Sequence, residues 1–297
     1  MSIARIALIG FGEVGRILGE DLSAKHVGLS AFDLKFPDRA SGPSQAAKQT
    51  GVWAAPSARE AIAGCDLVVS GVTAAQTLTA AQSVAGGLSK GAVFLDLNSA
   101  SPGVKRQAAD VINGAGGRYV EAAVMSPVPP KRIATAMLLG GPHAEAFLPQ
   151  LSELGFEGAR FFSAETGKAS AVKMCRSVIV KGMEALLSES LLTARAHDVE
   201  ETVLKSLDDL FPGPDWRTLS RYMISRTLEH GTRRAEEMRE AARTVSEAGL
   251  EPHMSAAAAE RQDWAPQFAG ALDETELDGM LDAIRGMMDA KRKGAAA

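Results

Sequence analysis

Ile6-Ala7-Leu8-Ile9-Gly10-Phe11-Gly12-Glu13-Val14-Gly15 is the stretch that decides the fold. Four apolar residues run into a glycine hexamer, and Val14, Ile17, Leu18 and Leu22 then recur at helical spacing. A buried strand that turns through Gly-x-Gly-x-x-Gly into a helix is the local architecture of a dinucleotide-binding βαβ unit. Gly10 allows the tight turn, Gly12 leaves the pyrophosphate unobstructed, and Gly15 lets the helix pack close to the strand. Phe11, Glu13 and Val14 complete the loop. The helix N-terminus offers N–H groups and a positive dipole end to phosphates. The hexamer by itself is weak evidence; its place between strand and helix carries the reading.

Asp33 closes the next apolar run, Leu29-Ser30-Ala31-Phe32, 18 residues after Gly15. An acid about 20 residues beyond such a loop holds the adenosine ribose hydroxyls. Its charge repels a 2′-phosphate, so Asp33 favours NAD over NADP. Lys35 and Arg39 lie close behind and reverse the preference if Asp33 turns away. Val72 and Thr73, after the run Leu67-Val68-Val69-Ser70, are expected as further cofactor contacts, together with Asn98.

Outward from this unit, short apolar runs alternate with helix-like segments. They include Val93-Phe94-Leu95-Asp96, the stretch from Arg118 to Val124, and Ala136-Met137-Leu138-Leu139. Continuous apolar strands separated by helices predict a doubly wound parallel sheet covered on both faces. From Thr166 onward no strand is expected. Ala169 to Ala196 reads as one long helix, with Val172, Val178, Ile179, Met183, Leu186, Leu187 and Leu191 as its apolar face. Phe211-Pro212-Gly213-Pro214 breaks the chain, Trp216 to Ala248 is helical again, and Gly249 stops that run ahead of Pro252. The division expected is a Rossmann-type α/β domain over 1–164 and an all-helical domain over 165–297, beginning with a long interdomain helix.

Apolar residues make up 46% of the 297 positions, enough for two cores. A net charge of −4 supplies no basic field for nucleic acid. No run is long and apolar enough to cross a membrane, and Met1-Ser2-Ile3-Ala4-Arg5 shows no export signal, so the expected location is cytoplasmic. The tail from Lys291 to Ala297 is expected to fray. Cys65 and Cys175 have no metal-ligand spacing and are expected as buried, reduced thiols; no metal site is expected.

Two further constellations point to chemistry. Asp96-Leu97-Asn98-Ser99-Ala100-Ser101-Pro102 follows an apolar run at the edge where open α/β sheets bind ligands. Asn98 and Ser99 either donate hydrogen bonds to a carboxylate or cap the next helix. Downstream, Gly167, Ala169 and Ser170 precede Lys173 at the head of the long helix. Small residues there let a ligand approach, and a partly desolvated ammonium exchanges a proton with an alcohol more readily. Lys168 and Lys181 compete for this role; Lys168 lies about 140° round the helix from Lys173, so both cannot enter one pocket.

In this order the residues resemble the β-hydroxyacid dehydrogenases, the group that includes 3-hydroxyisobutyrate dehydrogenase and is related to 6-phosphogluconate dehydrogenase. The resemblance spans nearly the whole chain and is weakest in the last third. It implies a Rossmann-type domain, a long interdomain helix, a helical second domain and assembly as a dimer or tetramer. Asp96, Asn98, Ser99 and Pro102 match the family's substrate segment, with Asn98 in place of a serine. Gly167, Ala169, Lys173 and Arg176 stand at the positions of its catalytic segment, with Arg176 in place of an asparagine.

The sequence departs from the family elsewhere. Ala122-Ala123-Val124-Met125-Ser126-Pro127 stands for a stretch of small and glycine residues, and Glu236-Glu237-Met238 stands for a Lys-Asp-Leu motif. The resemblance implies hydride transfer between NAD or NADP and a β-hydroxyacid-like alcohol bearing a carboxylate, with Lys173 as general acid and base. Asn98, Ser99, Met125 and Ser126 would line the substrate, and Arg176 would pair its carboxylate. His230, Arg233 and Arg234 form either replacement anion contacts or a solvated basic face. An imine reductase, a dehydrogenase of larger or aromatic alcohols, and a nicotinamide-binding protein without turnover are the alternatives that these residues leave open.

Overall fold

A computed structural model describes residues 3–295, with side chains described as far as Arg292. The chain divides into two compact units between Cys175 and Arg176. The first contains β1 (Arg5–Ile9), α1 (Glu13–Ser23), β2 (Gly28–Phe32), α2 (Gly42–Thr50) and β3 (Trp53–Ala54). Then come α3 (Ala58–Ala61), β4 (Leu67–Ser70), α4 (Thr77–Ala85), β5 (Val93–Asp96) and α5 (Pro102–Gly114). It ends with β6 (Arg118–Val124), α6 (Val128–Lys131), β7 (Met137–Gly140), α7 (Ala144–Leu154) and β8 (Ala159–Ser163).

The eight strands form one sheet in the order β3-β2-β1-β4-β5-β6-β7-β8. Side chains alternate between its faces, as the pleat requires. Ile6, Leu8, Leu67, Val69, Val93, Leu95 and Val120 pack with residues of α1, α2 and α7 in one core. Ala7, Ile9, Val68, Phe94 and Tyr119 pack with residues of α3, α4 and α5 in the other. Strands buried on both sides explain why they read as unbroken apolar runs.

Two features depart from the expected parallel sheet. β7 runs antiparallel to β6, because the connection between them holds only the single proline-rich turn of α6, too short for a crossover. Two strands carry too little pattern to be read from sequence: β3 has two residues, and β8 places Phe162 on its exposed side, so its sequence does not alternate apolar with polar.

Beyond β8 the structure is helical, as expected: α8 (Lys168–Ala196), α9 (Glu200–Leu210), α10 (Trp216–Glu247), α11 (His253–Trp264) and α12 (Leu277–Ala295). The division between units falls inside α8, whose first residues belong with the sheet. In the second unit Leu187, Leu191, Ile224, Leu228, Phe268, Met280, Leu281 and Ile284 form one core. Gly249 takes φ +81° after α10, which suits the glycine stop.

The apolar face expected for α8 is corrected in part: Ile179 and Leu186 are 66% and 57% exposed. Cys65 is buried, but Cys175 is exposed, on the same outward side of α8 as Ile179. Both thiols are free. The expected fray at Lys291 is replaced by helix through Ala295; Met1, Ser2, Ala296 and Ala297 lie outside the described residues. No helix among the described residues is long and apolar enough to cross a membrane, and they contain no cluster suited to a metal ion.

Candidate active site

The strand order reverses beside β1, so the carboxyl ends of β1 and β4 flank the crevice where open α/β sheets bind ligands. Gly10 turns the chain there at φ +89°. Its N–H donates to the Phe32 carbonyl at 2.8 Å, and the Gly71 N–H donates to the Ile9 carbonyl at 2.8 Å. No side chain fits: a Cβ at Gly10 would lie 2.5 Å from the Gly71 carbonyl oxygen, and one at Gly15 would lie 2.2 Å from that of Gly10. Gly12 differs, since a Cβ there would meet nothing within 4 Å. Gly12 also precedes α1 without giving it a side-chain cap. Open space before an uncapped helix N-terminus fits the pyrophosphate of a dinucleotide.

The residues around the glycines divide their labour. The Phe11 ring is buried and packs against Phe36, with centroids 6.1 Å apart, while its N–H donates to Asp33 Oδ2 at 2.8 Å. Asp33 Oδ1 accepts from the Lys35 N–H at 2.9 Å. Asp33 is therefore turned toward the loop, with acceptor positions left for ribose hydroxyls. Glu13, Lys35 and Arg39 are exposed, and Val14 is half-buried.

At the ends of β4 and β5, Asn98 holds the crevice wall rather than projecting from it. Its Oδ1 accepts from the Val72 N–H at 2.7 Å, and its Nδ2 donates to Ser70 Oγ at 3.0 Å. Thr73 is exposed and Ser99 is half-buried. Neither Asn98 nor Ser99 caps α5; Ser101 does, accepting from Val104 N–H. Ser126 Oγ shares a hydrogen bond of 3.0 Å with Thr135 Oγ1, and the Met125 N–H donates to the Ala136 carbonyl at 2.9 Å. Both residues are half-buried and belong to the turn joining β6 to β7.

Behind this wall lies a buried polar cluster that the sequence reading missed. Phe94, Asp96, Tyr119 and Glu121 project from one face of the sheet, and the last three and Lys105 are at most 1% exposed. Lys105 Nζ pairs with Asp96 Oδ1 at 2.9 Å and also donates to the Asp96 carbonyl at 3.1 Å. The Tyr119 hydroxyl donates to Asp96 Oδ2 at 2.7 Å; burial, then the Asp96 charge, pushes its pKa well up. Burial likewise raises the Glu121 carboxyl, against the pull of Lys105 and of backbone N–H donors. A signal for the cluster exists. Lys105 occupies the apolar stripe of α5 with Ala108, Ala109 and Ile112, and Glu121 interrupts the apolar run of β6.

Glu121 meets the head of α8. The Ala169 N–H donates to Oε1 at 2.9 Å, and the Ser170 hydroxyl donates to Oε2 at 3.3 Å. Lys173 follows one turn later and is half-buried. Of the competing lysines, Lys168 is 59% exposed and faces Glu165 at 3.7 Å. Lys181 pairs with Glu237 at 2.5 Å.

Arg176 and His230 fall in the second unit, where Arg176 is exposed. His230 lies 3.3 Å from Glu229, and burial with nearby Arg226 lowers its pKa. Arg233 pairs with Glu237, and Arg234 with buried Glu184. The break in charge pattern at Gly231 has a packing reason, since a Cβ there would lie 2.3 Å from the Gln262 carbonyl oxygen.

Comparison with known proteins agrees with this geometry. Residues 5–155 match the family described as the NAD binding domain of 6-phosphogluconate dehydrogenase, and residues 194–265 match a domain of unknown function, DUF1932. A conserved hypothetical protein from Sinorhizobium meliloti 1021 is 37% identical, with 95% of this chain and 96% of that one covered and a TM-score of 0.74. The conserved protein MTH1747, of unknown function, is 30% identical over 93% of this chain and 99% of its own, with a TM-score of 0.69; its structure is described as similar to 3-hydroxyacid dehydrogenases. The fold is also that of Mycobacterium tuberculosis 3-hydroxyisobutyrate dehydrogenase, solved with L-serine. That protein is 18% identical, with 97% and 99% of the chains covered and a TM-score of 0.68.

Proposed function

Because this chain belongs to the family of the 6-phosphogluconate dehydrogenase NAD-binding domain, we propose that it is an NAD(P)-dependent dehydrogenase of a β-hydroxyacid-like alcohol, with Lys173 as general acid and base. The observation that carries the reading is the pairing of two features in the first unit. One is a glycine loop open at Gly12 before an uncapped helix. The other is a half-buried lysine on a helix whose first turn is fixed to the sheet by Glu121.

The nicotinamide supplies the hydride acceptor, or in reverse the donor. The chain's own residues do the rest. The α1 N-terminus holds the pyrophosphate, and Asp33 holds the ribose and favours NAD. Lys173 Nζ takes the hydroxyl proton during oxidation and returns it during reduction. Ser99 and Ser126 offer hydroxyls to the substrate, and Asn98 keeps the crevice wall in register.

A screen of hydroxy acids and aldehydes against NAD and NADP in parallel, read by absorbance of the reduced cofactor, tests the reading. Lys173→Ala is expected to lower turnover about 100-fold or more while cofactor affinity stays near normal. Full activity in that variant removes Lys173 from the mechanism.

A further inference from the structure

Glu121 lies in an apolar strand with no exposed surface. Burying an ionised carboxylate costs several kcal/mol unless something binds it. Here the N-terminus of α8 binds it. Ala169 N–H and the Ser170 hydroxyl donate to its two oxygens at 2.9 and 3.3 Å, and the Gly167 backbone adds a further hydrogen bond. The positive end of the α8 dipole faces the same group, and Lys105 on α5 supplies a compensating charge.

The opposite side of the seat is equally specific. Glu121 is the register partner of Gly140 across the antiparallel β6–β7 pair. A Cβ at Gly140 would lie 2.2 Å from Glu121 Oε1 and 2.8 Å from its Cγ. Any side chain at 140 would drive the carboxylate off the α8 amides. The missing side chain at 140 and the buried acid at 121 are thus two halves of one fitting.

We propose that Glu121, seated in the space left by Gly140, is a positioning residue that fixes the first turn of α8 and so sets the direction in which Lys173 presents its ammonium. In an α-helix the N–H of residue 173 bonds the carbonyl of residue 169, so the turn bearing Lys173 is built on the residue that Glu121 holds. Lys168, on the same turn as Ala169 but directed to solvent, gains nothing from this seat. The inference rests on Lys173 being the proton-transfer group, but its test does not require a substrate.

Two variants of the full chain separate the possibilities. Glu121→Gln keeps the volume and removes the charge and one acceptor. Gly140→Ala keeps every charge and displaces the carboxylate. Hydrogen exchange over residues 167–171 and the pH dependence of acetic anhydride labelling at Lys173 are read by mass spectrometry, with Lys168 as internal reference. Both variants are expected to exchange at least tenfold faster there and to shift the Lys173 labelling profile in the same direction, leaving that of Lys168 in place. Unchanged exchange overturns the proposal, because Glu121 then does not hold the helix. Faster exchange with an unchanged Lys173 profile also overturns it, leaving Glu121 a purely structural role. If Gly140→Ala fails to fold, the isosteric Glu121→Gln still decides. Full turnover in Lys173→Ala would defeat the catalytic reading alone and leave these two measurements standing.

Discussion

The two sides of the crevice are held together by opposite means. At the β1–α1 turn the loop is shaped by what is absent: glycines at 10 and 15 let carbonyl oxygens approach, and the Asp33 side chain braces the loop through backbone N–H groups. At the β5–β6 side the frame is made of charged side chains with almost no exposed surface, Asp96 with Lys105 and Glu121 with the head of α8. The first construction leaves an open space that a ligand completes. The second is complete in itself and supports a helix. Damage should therefore separate cleanly, with fold lost on one side and ligand lost on the other.

The charged side is most vulnerable at Lys105. Replacing it with methionine keeps the stem in the apolar stripe of α5 and removes the ammonium that faces both Asp96 and Glu121. Breaking a buried pair from one side costs about 3–5 kcal/mol. Urea unfolding of Lys105→Met should show a loss of that size, and a loss below about 1 kcal/mol would mean that water or rearrangement satisfies Asp96. Next is Gly12→Val, on the other side. Its side chain enters open space, so stability should stay within about 0.5 kcal/mol. The same side chain would occupy the pyrophosphate position. NAD affinity, measured by calorimetry, should fall at least about 100-fold, equivalent to about 2.7 kcal/mol. A stable variant that still binds NAD normally would place the cofactor elsewhere.

The contrast also explains what could be read from the sequence. The glycine side was legible because its determinants are neighbours in the chain: strand, turn, helix and acid follow within a few dozen residues. The same locality revealed the long helices α8 and α10. The charged side was not legible because its partners are remote. Asp96, Lys105, Glu121 and Ala169 meet only through the sheet order and the β6–β7 turn. Asn98 shows the same limit, since a strand-end amide can face a ligand or a neighbouring strand, and only the Val72 and Ser70 contacts decide. β3 and β8 were missed because edge strands of a few residues carry little hydrophobic pattern. Lys173 stood out by its place after small residues, and Glu121 broke the apolar run of β6, but nothing local tied that acid to the head of α8.

The smallest effect concerns pH, and its sign distinguishes Glu121 from the exposed acids. Burial raises the Glu121 carboxyl above its ordinary 4.5, so the fold favours the protonated form more than the unfolded chain does. The stability it contributes is full below that value and is lost as pH rises through the folded pKa. Glu20 and Asp282, held low by Arg132 and Arg195 respectively, act oppositely: they contribute above their ordinary pKa, and that contribution fades in acid. Comparing wild type with Glu121→Gln cancels the exposed groups, which the two proteins share. The stability advantage of wild type should therefore be largest near pH 4 and shrink toward neutrality, with a slope no steeper than about 1.4 kcal/mol per pH unit for one proton. An advantage that grows with pH would mean that Lys105 and the α8 amides outweigh burial. The carboxylate side of the crevice would then be held by the ionised acid, stabilised by its charge rather than despite it.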